Sequence, residues 1–278
     1  MKKALKLIAV TLSSIVGLVL IAAVVAIWVV FTPAKLTPIV RDQLPKFVTC
    51  ETTLDEVDLT FFSTFPHFGL HIQNVCLKNP IEGSASDTLA YIGDCTVTID
   101  LMAFLKNNDV VLNQFYLENG FANIYTNSKG ETNYDIMVPS EEPEDSLDTE
   151  FSFGKIDLQS VTIKNLRLAY ADDQSHLYGN VAAMNADMNA ALFEDNGDAQ
   201  FAFHLAGVTF DMNDSTRMSA QISTVDMDFN GTKEGDDIAG NLLLKLPDFS
   251  FKMDDVDYLK SLNLLIDGPL SANLKTLK

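Results

Sequence analysis

Apolar residues recur at every second position through most of this chain. Val97-Thr98-Ile99-Asp100-Leu101, Phe201-Ala202-Phe203-His204-Leu205 and Val225-Asp226-Met227-Asp228-Phe229 are the clearest runs. A period of two sends alternate side chains to opposite faces of an extended strand. Further strands are expected near Leu54–Phe61, Gly69–Lys78, Val110–Leu117, Ile156–Ile163, Leu166–Tyr170 and Asn180–Leu192, and again near Met218–Thr224, Ile238–Leu246 and Phe249–Met253. Helical patterning is confined to Leu36–Leu44 and Leu101–Lys106. Asn119-Gly120, Asp195-Asn196-Gly197-Asp198 and Asn230-Gly231 read as turns between strands. An apolar sheet face must pack on a second sheet, close on itself, or be filled by something else. The expected class is therefore mainly β, as a sandwich or as an elongated, curved antiparallel groove.

Residues Leu7 to Phe31 carry no charge, and Thr11, Ser13 and Ser14 are their only polar side chains. About 25 such residues suffice for one transmembrane helix. Lys2, Lys3 and Lys6 precede the run, which favours a cytoplasmic N-terminus and a main domain outside the cytoplasm. A cleaved signal peptide fits less well, because the apolar run continues through Trp28 and Phe31, past Val24-Val25-Ala26. The expected organisation is a tail (1–6), a transmembrane helix (7–31), a connector helix (32–48), a β region (49–138), an acidic loop (139–150) and a continuing β region (151–278).

The net charge of −19 argues against a nucleic-acid partner, which needs a Lys/Arg surface. It argues equally against a grip of the main domain on anionic headgroups. Cys50, Cys76 and Cys95 are too few for a disulfide framework. A Cys76–Cys95 bridge between neighbouring strands and buried free thiols are the two readings, the second favoured. Asp226-x-Asp228-x-Asn230-Gly231-x-x-Glu234-x-x-Asp237 approaches a calcium loop, but its flanks alternate as strands and Lys233 stands where such loops are apolar. A hairpin turning at Asn230-Gly231 explains the same residues. His67 and His71 would lie roughly 13 Å apart on a strand, too far to share an ion. Asp254-Asp255-x-Asp257 reads as a solvated turn. No nucleotide-binding, nucleophile or metal-cluster motif occurs, so neither an enzyme nor a cofactor or metal site is expected.

A short motif recurs as Ile72-Gln-Asn-Val75-Cys-Leu77-Lys-Asn79, Leu112-Asn-Gln-Phe115-Tyr-Leu117-Glu-Asn119 and Leu158-Gln-Ser-Val161-Thr-Ile163-Lys-Asn165. The spacing of about 40–47 residues suggests a β unit that lengthens one sheet by repetition. The apolar sides of the alternating strands supply the candidate binding face: Leu70, Ile72, Val97, Ile99, Phe115, Leu117, Val161, Ile163, Phe201, Phe203, Val225 and Met227.

The order of motifs is also informative. The apolar helix and connector lead into Leu54-Asp-Glu-Val57-Asp58-Leu59-Thr60-Phe61-Phe62-Ser63-Thr64-Phe65-Pro66, then His67-Phe68-Gly69-Leu70 and Val75-Cys76-Leu77-Lys78-Asn79-Pro80. Leu89-Ala90-Tyr91-Ile92, Gly130-Glu131-Thr132-Asn133-Tyr134-Asp135 and Ile163-Lys164-Asn165-Leu166-Arg167-Leu168-Ala169-Tyr170 follow. This series resembles the AsmA family of bacterial inner-membrane-anchored envelope proteins, related to the TamB-like bridges. The resemblance implies a periplasmic β-groove serving outer-membrane biogenesis, with phospholipid acyl chains as partners. A dozen strands at about 4.8 Å would give a groove on the order of 60 Å, short for a bridge across an envelope. The competing expectation is a non-transporting scaffold that regulates outer-membrane protein assembly or localisation through envelope protein partners.

Overall fold

The computed structural model describes residues 32–60, 68–99, 112–138, 155–193, 196–273, 275 and 276. The tail 1–6, the run 7–31, His67, the helix expected at Leu101–Lys106 and the acidic loop 139–150 lie outside the described residues. Among those described, no helix is long and apolar enough to cross a membrane.

Helix α1 (Pro33–Gln43) and a 3₁₀ turn (Leu44–Lys46) precede the strands β1 (Thr52–Thr53), β2 (Glu56–Leu59), β3 (Phe68–Lys78), β4 (Thr88–Ile99), β5 (Leu112–Thr126) and β6 (Lys155–Asp172). The chain continues through β7 (Leu177–Phe193), β8 (Asn196–Asn213), β9 (Arg217–Glu234), β10 (Asp237–Met253) and β11 (Val256–Asn273). All eleven strands belong to one sheet, in the order β1-β3-β4-β5-β6-β7-β8-β9-β10-β11, with β2 also paired to β3. Neighbours are antiparallel except β5 and β6, which run parallel. The sandwich alternative is thereby set aside, because no second sheet is present among the described residues.

Strands are fewer and longer than the alternation suggested. Ile156–Ile163 and Leu166–Tyr170 fuse into β6, and Ile238–Leu246 and Phe249–Met253 into β10. Ten strands in line leave nine spacings of about 4.8 Å, so the sheet spans about 43 Å across its strands instead of 60 Å. Asn230-Gly231 is not a turn: both residues lie inside β9, whose hairpin to β10 turns at Gly235-Asp236. Asn119-Gly120 likewise lies inside β5.

The fusion is explained by a line of left-handed residues within the strands. Asn74, Asn119, Asn165, Asp248 and Ser261 have φ of 51°, 58°, 53°, 55° and 56°, and Gly207 has 60°. Such a residue shifts the alternation by one position and bends the strand without ending it. Asn tolerates this conformation because its short amide bonds locally: Asn165 Nδ2 donates to Asn119 Oδ1 at 2.7 Å, and the Asn165 N–H donates to Asn185 Oδ1 at 2.9 Å. The last two copies of the repeat lie side by side in register, Phe115 beside Val161 and Leu117 beside Ile163. In β3 the matching segment is Leu70–Asn74, not Ile72–Asn79, because Leu70 and Ile72 align through Val97 and Cys95 with Phe115 and Leu117.

The densest packing is at the first strands. Val57 is fully buried, Leu54 is 3% and Leu36 is 9% exposed, and Val40, Leu44, Leu59, Leu70, Ile72 and Val75 pack around them. Helix α1 starts at Pro33, whose missing N–H is harmless in a first turn. Arg41 Nε and Nη2 donate to Leu54 O at 3.1 and 2.6 Å, and the Val57 N–H donates to Thr37 Oγ1 at 3.0 Å. Helix and sheet are thus joined by polar contacts around a small apolar core.

Asn133 closes the other side of this region. It is fully buried, donates from Nδ2 to Asn123 O and accepts the Tyr125 N–H at Oδ1, both at 2.8 Å. The Gly-x-x-Asn-aromatic-Asp segment therefore acts as a clasp on β5, with Gly130 in the left-handed turn that precedes it. All three cysteines are free. Cys95 pairs with Ile72 and Cys76 with Tyr91, four positions apart along β3, so the bridge between them is excluded. Burial pushes the Cys95 thiol above its ordinary pKa.

Candidate functional site: an uncovered apolar sheet face

Strand register turns scattered alternation into continuous rows. One row reads Leu59, Leu70, Val97, Phe115, Val161, Met188, Phe201, Phe229 and Leu242, each residue paired with the next. The adjacent row on the same face reads Val57, Ile72, Cys95, Leu117, Ile163, Ala186, Phe203, Met227, Leu244 and Ile266. Ten of the twelve residues singled out from sequence stand in these two rows. Val225 lies two residues from Met227 and pairs with Leu205, and Ile99 pairs with Phe68 and Leu112 two residues from Val97. Leu59, Met188, Phe229 and Leu242 complete the first row and Val57, Cys95, Ala186, Leu244 and Ile266 the second, and these were missed. Extending the same alternation phase across every strand would have found them.

The apolar face continues past the line of left-handed residues, where the phase shift keeps it on one side. Leu77, Ala90, Ala122, Leu168, Val181, Val208 and Ile222 form a further row. A Cβ placed on Gly120 would stand 2.6 Å from Leu166 Cδ1 and 3.0 Å from Leu117 Cδ2. Side chains from both arms of the bent strands thus converge on the apolar side, making it the inside of the bend.

Aromatic rings pave the floor near its centre. Phe229 stacks on Phe201 with centroids 4.8 Å apart. The same ring lies over two glycines: a Cβ on Gly231 would meet Phe229 Cζ at 2.4 Å, and one on Gly240 would meet Cε2 at 2.9 Å. These glycines let the ring lie down on the sheet beside Phe201, where it is 8% exposed.

The opposite face is polar. Its rows include Thr96, Tyr116, Thr162, Asp187, Ala202 and Asp228, and then Asp94, Glu118 and Lys164. His71 Nε2 bonds Asp94 Oδ1 at 2.7 Å, and His204 Nδ1 bonds Asp226 Oδ1 at 2.5 Å on this same face. Each histidine bonds one carboxylate, and Asp58 is the cross-strand partner of His71. Among the described residues no group of three or more His, Cys, Asp or Glu is placed to hold a metal ion. The calcium-like residues 226–237 are spread along β9 and into β10.

The two ends of the face differ. Helix α1 sits over its first strands, against Val57, Leu59, Leu70 and Ile72. At the other end β11 is paired on one side only among the described residues, and Leu264 and Ile266 on this face are 40% and 45% exposed. At the hairpin rim, Tyr125 donates its hydroxyl to Asp173 Oδ2 at 2.6 Å, and that carboxylate pushes the phenol pKa up to about 12.

An open, bent sheet with one apolar face, one helix over its first strands and no second layer among the described residues defines a class of β-gutter proteins. The family model of the AsmA family matches residues 1–250, from the N-terminal run into β10, and the chain belongs to that family. The family is typically associated with the bacterial envelope. No curated protein and no solved structure matches the chain.

Proposed function

We propose that this chain is an inner-membrane-anchored envelope protein that holds phospholipid acyl chains on its apolar sheet face in the service of outer-membrane biogenesis. In this reading residues 7–31 span the inner membrane with the N-terminus in the cytoplasm, and the sheet lies in the periplasm. The observation that carries it is the pair of uninterrupted apolar rows which, beyond the strands under α1, have no second layer over them among the described residues. Each methylene moved from water onto such a face contributes about 0.8 kcal/mol, so an acyl chain is a fitting cover. Helix α1 covers the end nearest the anchor, and lipid would enter beside it and move along the rows, from strand to strand, toward β11.

The test is lipid analysis of the detergent-extracted full chain by mass spectrometry. Phospholipid at about one or more molecules per chain is expected, falling at least several-fold in Phe203→Asp with the β spectrum retained. A lipid-free protein, or one in which polar substitution at Phe115 or Ile163 unfolds the whole sheet, would count against the groove.

One observation favours a second reading, a scaffold in outer-membrane protein assembly or localisation. The free edge of β11 exposes large apolar residues beside unpaired backbone groups, a template for a partner's strand.

A further inference from the structure

The bent strands end in turns on two rims, and headgroups of lipids lying on the apolar face must project between them. On the rim formed by the β6–β7, β8–β9 and β10–β11 hairpins stand Asp172, Asp173, Asp214, Asp254 and Asp255. The cations of that rim are already engaged: Arg217 Nη2 lies 2.6 Å from Asp255 Oδ2 and its N–H donates to Asp254 Oδ1 at 2.9 Å, and Lys252 and Lys260 are paired with Asp257 at 3.4 and 2.9 Å. Asp172 is held below the usual carboxylate range by bonds from the Ser175 side chain and backbone. The opposite rim carries Glu234, Asp236 and Asp237 at the β9–β10 turn, and its Lys275 is ion-paired with Asp236 at 2.5 Å.

We propose that these two acidic rims make the groove selective for lipids whose headgroup carries an ammonium and no net charge, against lipids with a net anionic headgroup. The inference rests on the groove reading above. A cleft flanked on both sides by an excess of one sign of charge focuses its potential between them. An anionic headgroup would sit in that potential with its whole charge, whereas a zwitterionic one places its ammonium outermost, toward the carboxylates. The same acidity pervades the chain, whose net charge is −19.

The experiment loads the detergent-solubilised full chain from mixed micelles of phosphatidylethanolamine and phosphatidylglycerol, equimolar and with identical acyl chains. Lipid retained after repurification is counted by mass spectrometry. At low ionic strength about a five-fold preference for phosphatidylethanolamine is expected, shrinking toward unity in 1 M salt, where the Debye length is about 3 Å. The rim variant Asp214→Asn/Asp254→Asn/Asp255→Asn should lower the preference at least two-fold while total lipid stays constant. Asp236→Asn/Asp237→Asn on the other rim provides an independent check should the first fold poorly. Equal retention of the two lipids, or a preference unchanged in both variants, overturns the selectivity and leaves the groove standing. Retention of neither lipid overturns the groove itself.

Discussion

The two ends of this sheet solve the same physical problem differently. At β2 and β3 the apolar face is covered by α1, and Val57 loses all contact with solvent. From β6 to β11 the same face carries comparable side chains, yet Phe201, Phe203, Met227 and Leu244 stay only half-buried. One chain thus contains a finished core and an unfinished one. The finished part holds its shape by packing, whereas the long strands hold theirs by backbone pairing, with apolar surface to spare. Spare apolar surface of that extent is what the proposed acyl-chain cover would occupy.

Substitutions separate the two regimes. The largest expected effect is Val57→Asp, which puts a charge into the closed core; a loss of about 4 kcal/mol or more, read by denaturant melts, would remove the α1 cap. Asn133→Ala leaves the backbone groups of Asn123 and Tyr125 without their partner and should cost about 2–3 kcal/mol. Asn119→Val forces a β-branched residue into a left-handed position and should cost about 1–2 kcal/mol, while Asn119→Gly stays near neutral. Phe203→Ser on the open face should cost about 1 kcal/mol or less and yet reduce retained lipid several-fold. If Phe203→Ser were as destabilising as Val57→Asp, the contrast between the ends would be gone. The smallest effect is spectroscopic. Tyr125 is stabilised in its protonated form by Asp173, so its contribution is intact below pH 10 and is lost as pH rises through about 12. An ultraviolet titration should show a tyrosinate forming near pH 12 that disappears in Tyr125→Phe, while the raised phenols of Tyr116 and Tyr178 keep their own late transitions.

Alternation in the sequence was enough to place the apolar face. Leu70, Phe115, Val161 and Phe201 were each legible one strand at a time, because a period of two is a local property. Their union into a row was not, since register depends on pairing between strands distant in sequence. The bends were misread for a related reason. Asn-Gly is the usual signal of a tight hairpin, and at Asn119-Gly120 the left-handed residue it supplies bends a strand instead of reversing it. Strand β11 went unlisted because the bend at Ser261 and the adjacent Leu264-Leu265-Ile266 run obscure its alternation. The parallel β5–β6 pair was also hidden, although the in-register repeat of Phe115-x-Leu117 and Val161-x-Ile163 was its trace.

The central claim is that one face of the sheet, and not the other, lies against acyl chains. A photo-crosslinking residue placed in turn at Phe115, Tyr116, Phe203 and His204 in the full membrane-inserted chain tests it most directly, because neighbours in sequence point to opposite faces. Lipid adducts detected by mass spectrometry are expected at Phe115 and Phe203 and absent at Tyr116 and His204. Adducts of equal yield at all four positions, or at none, would contradict it.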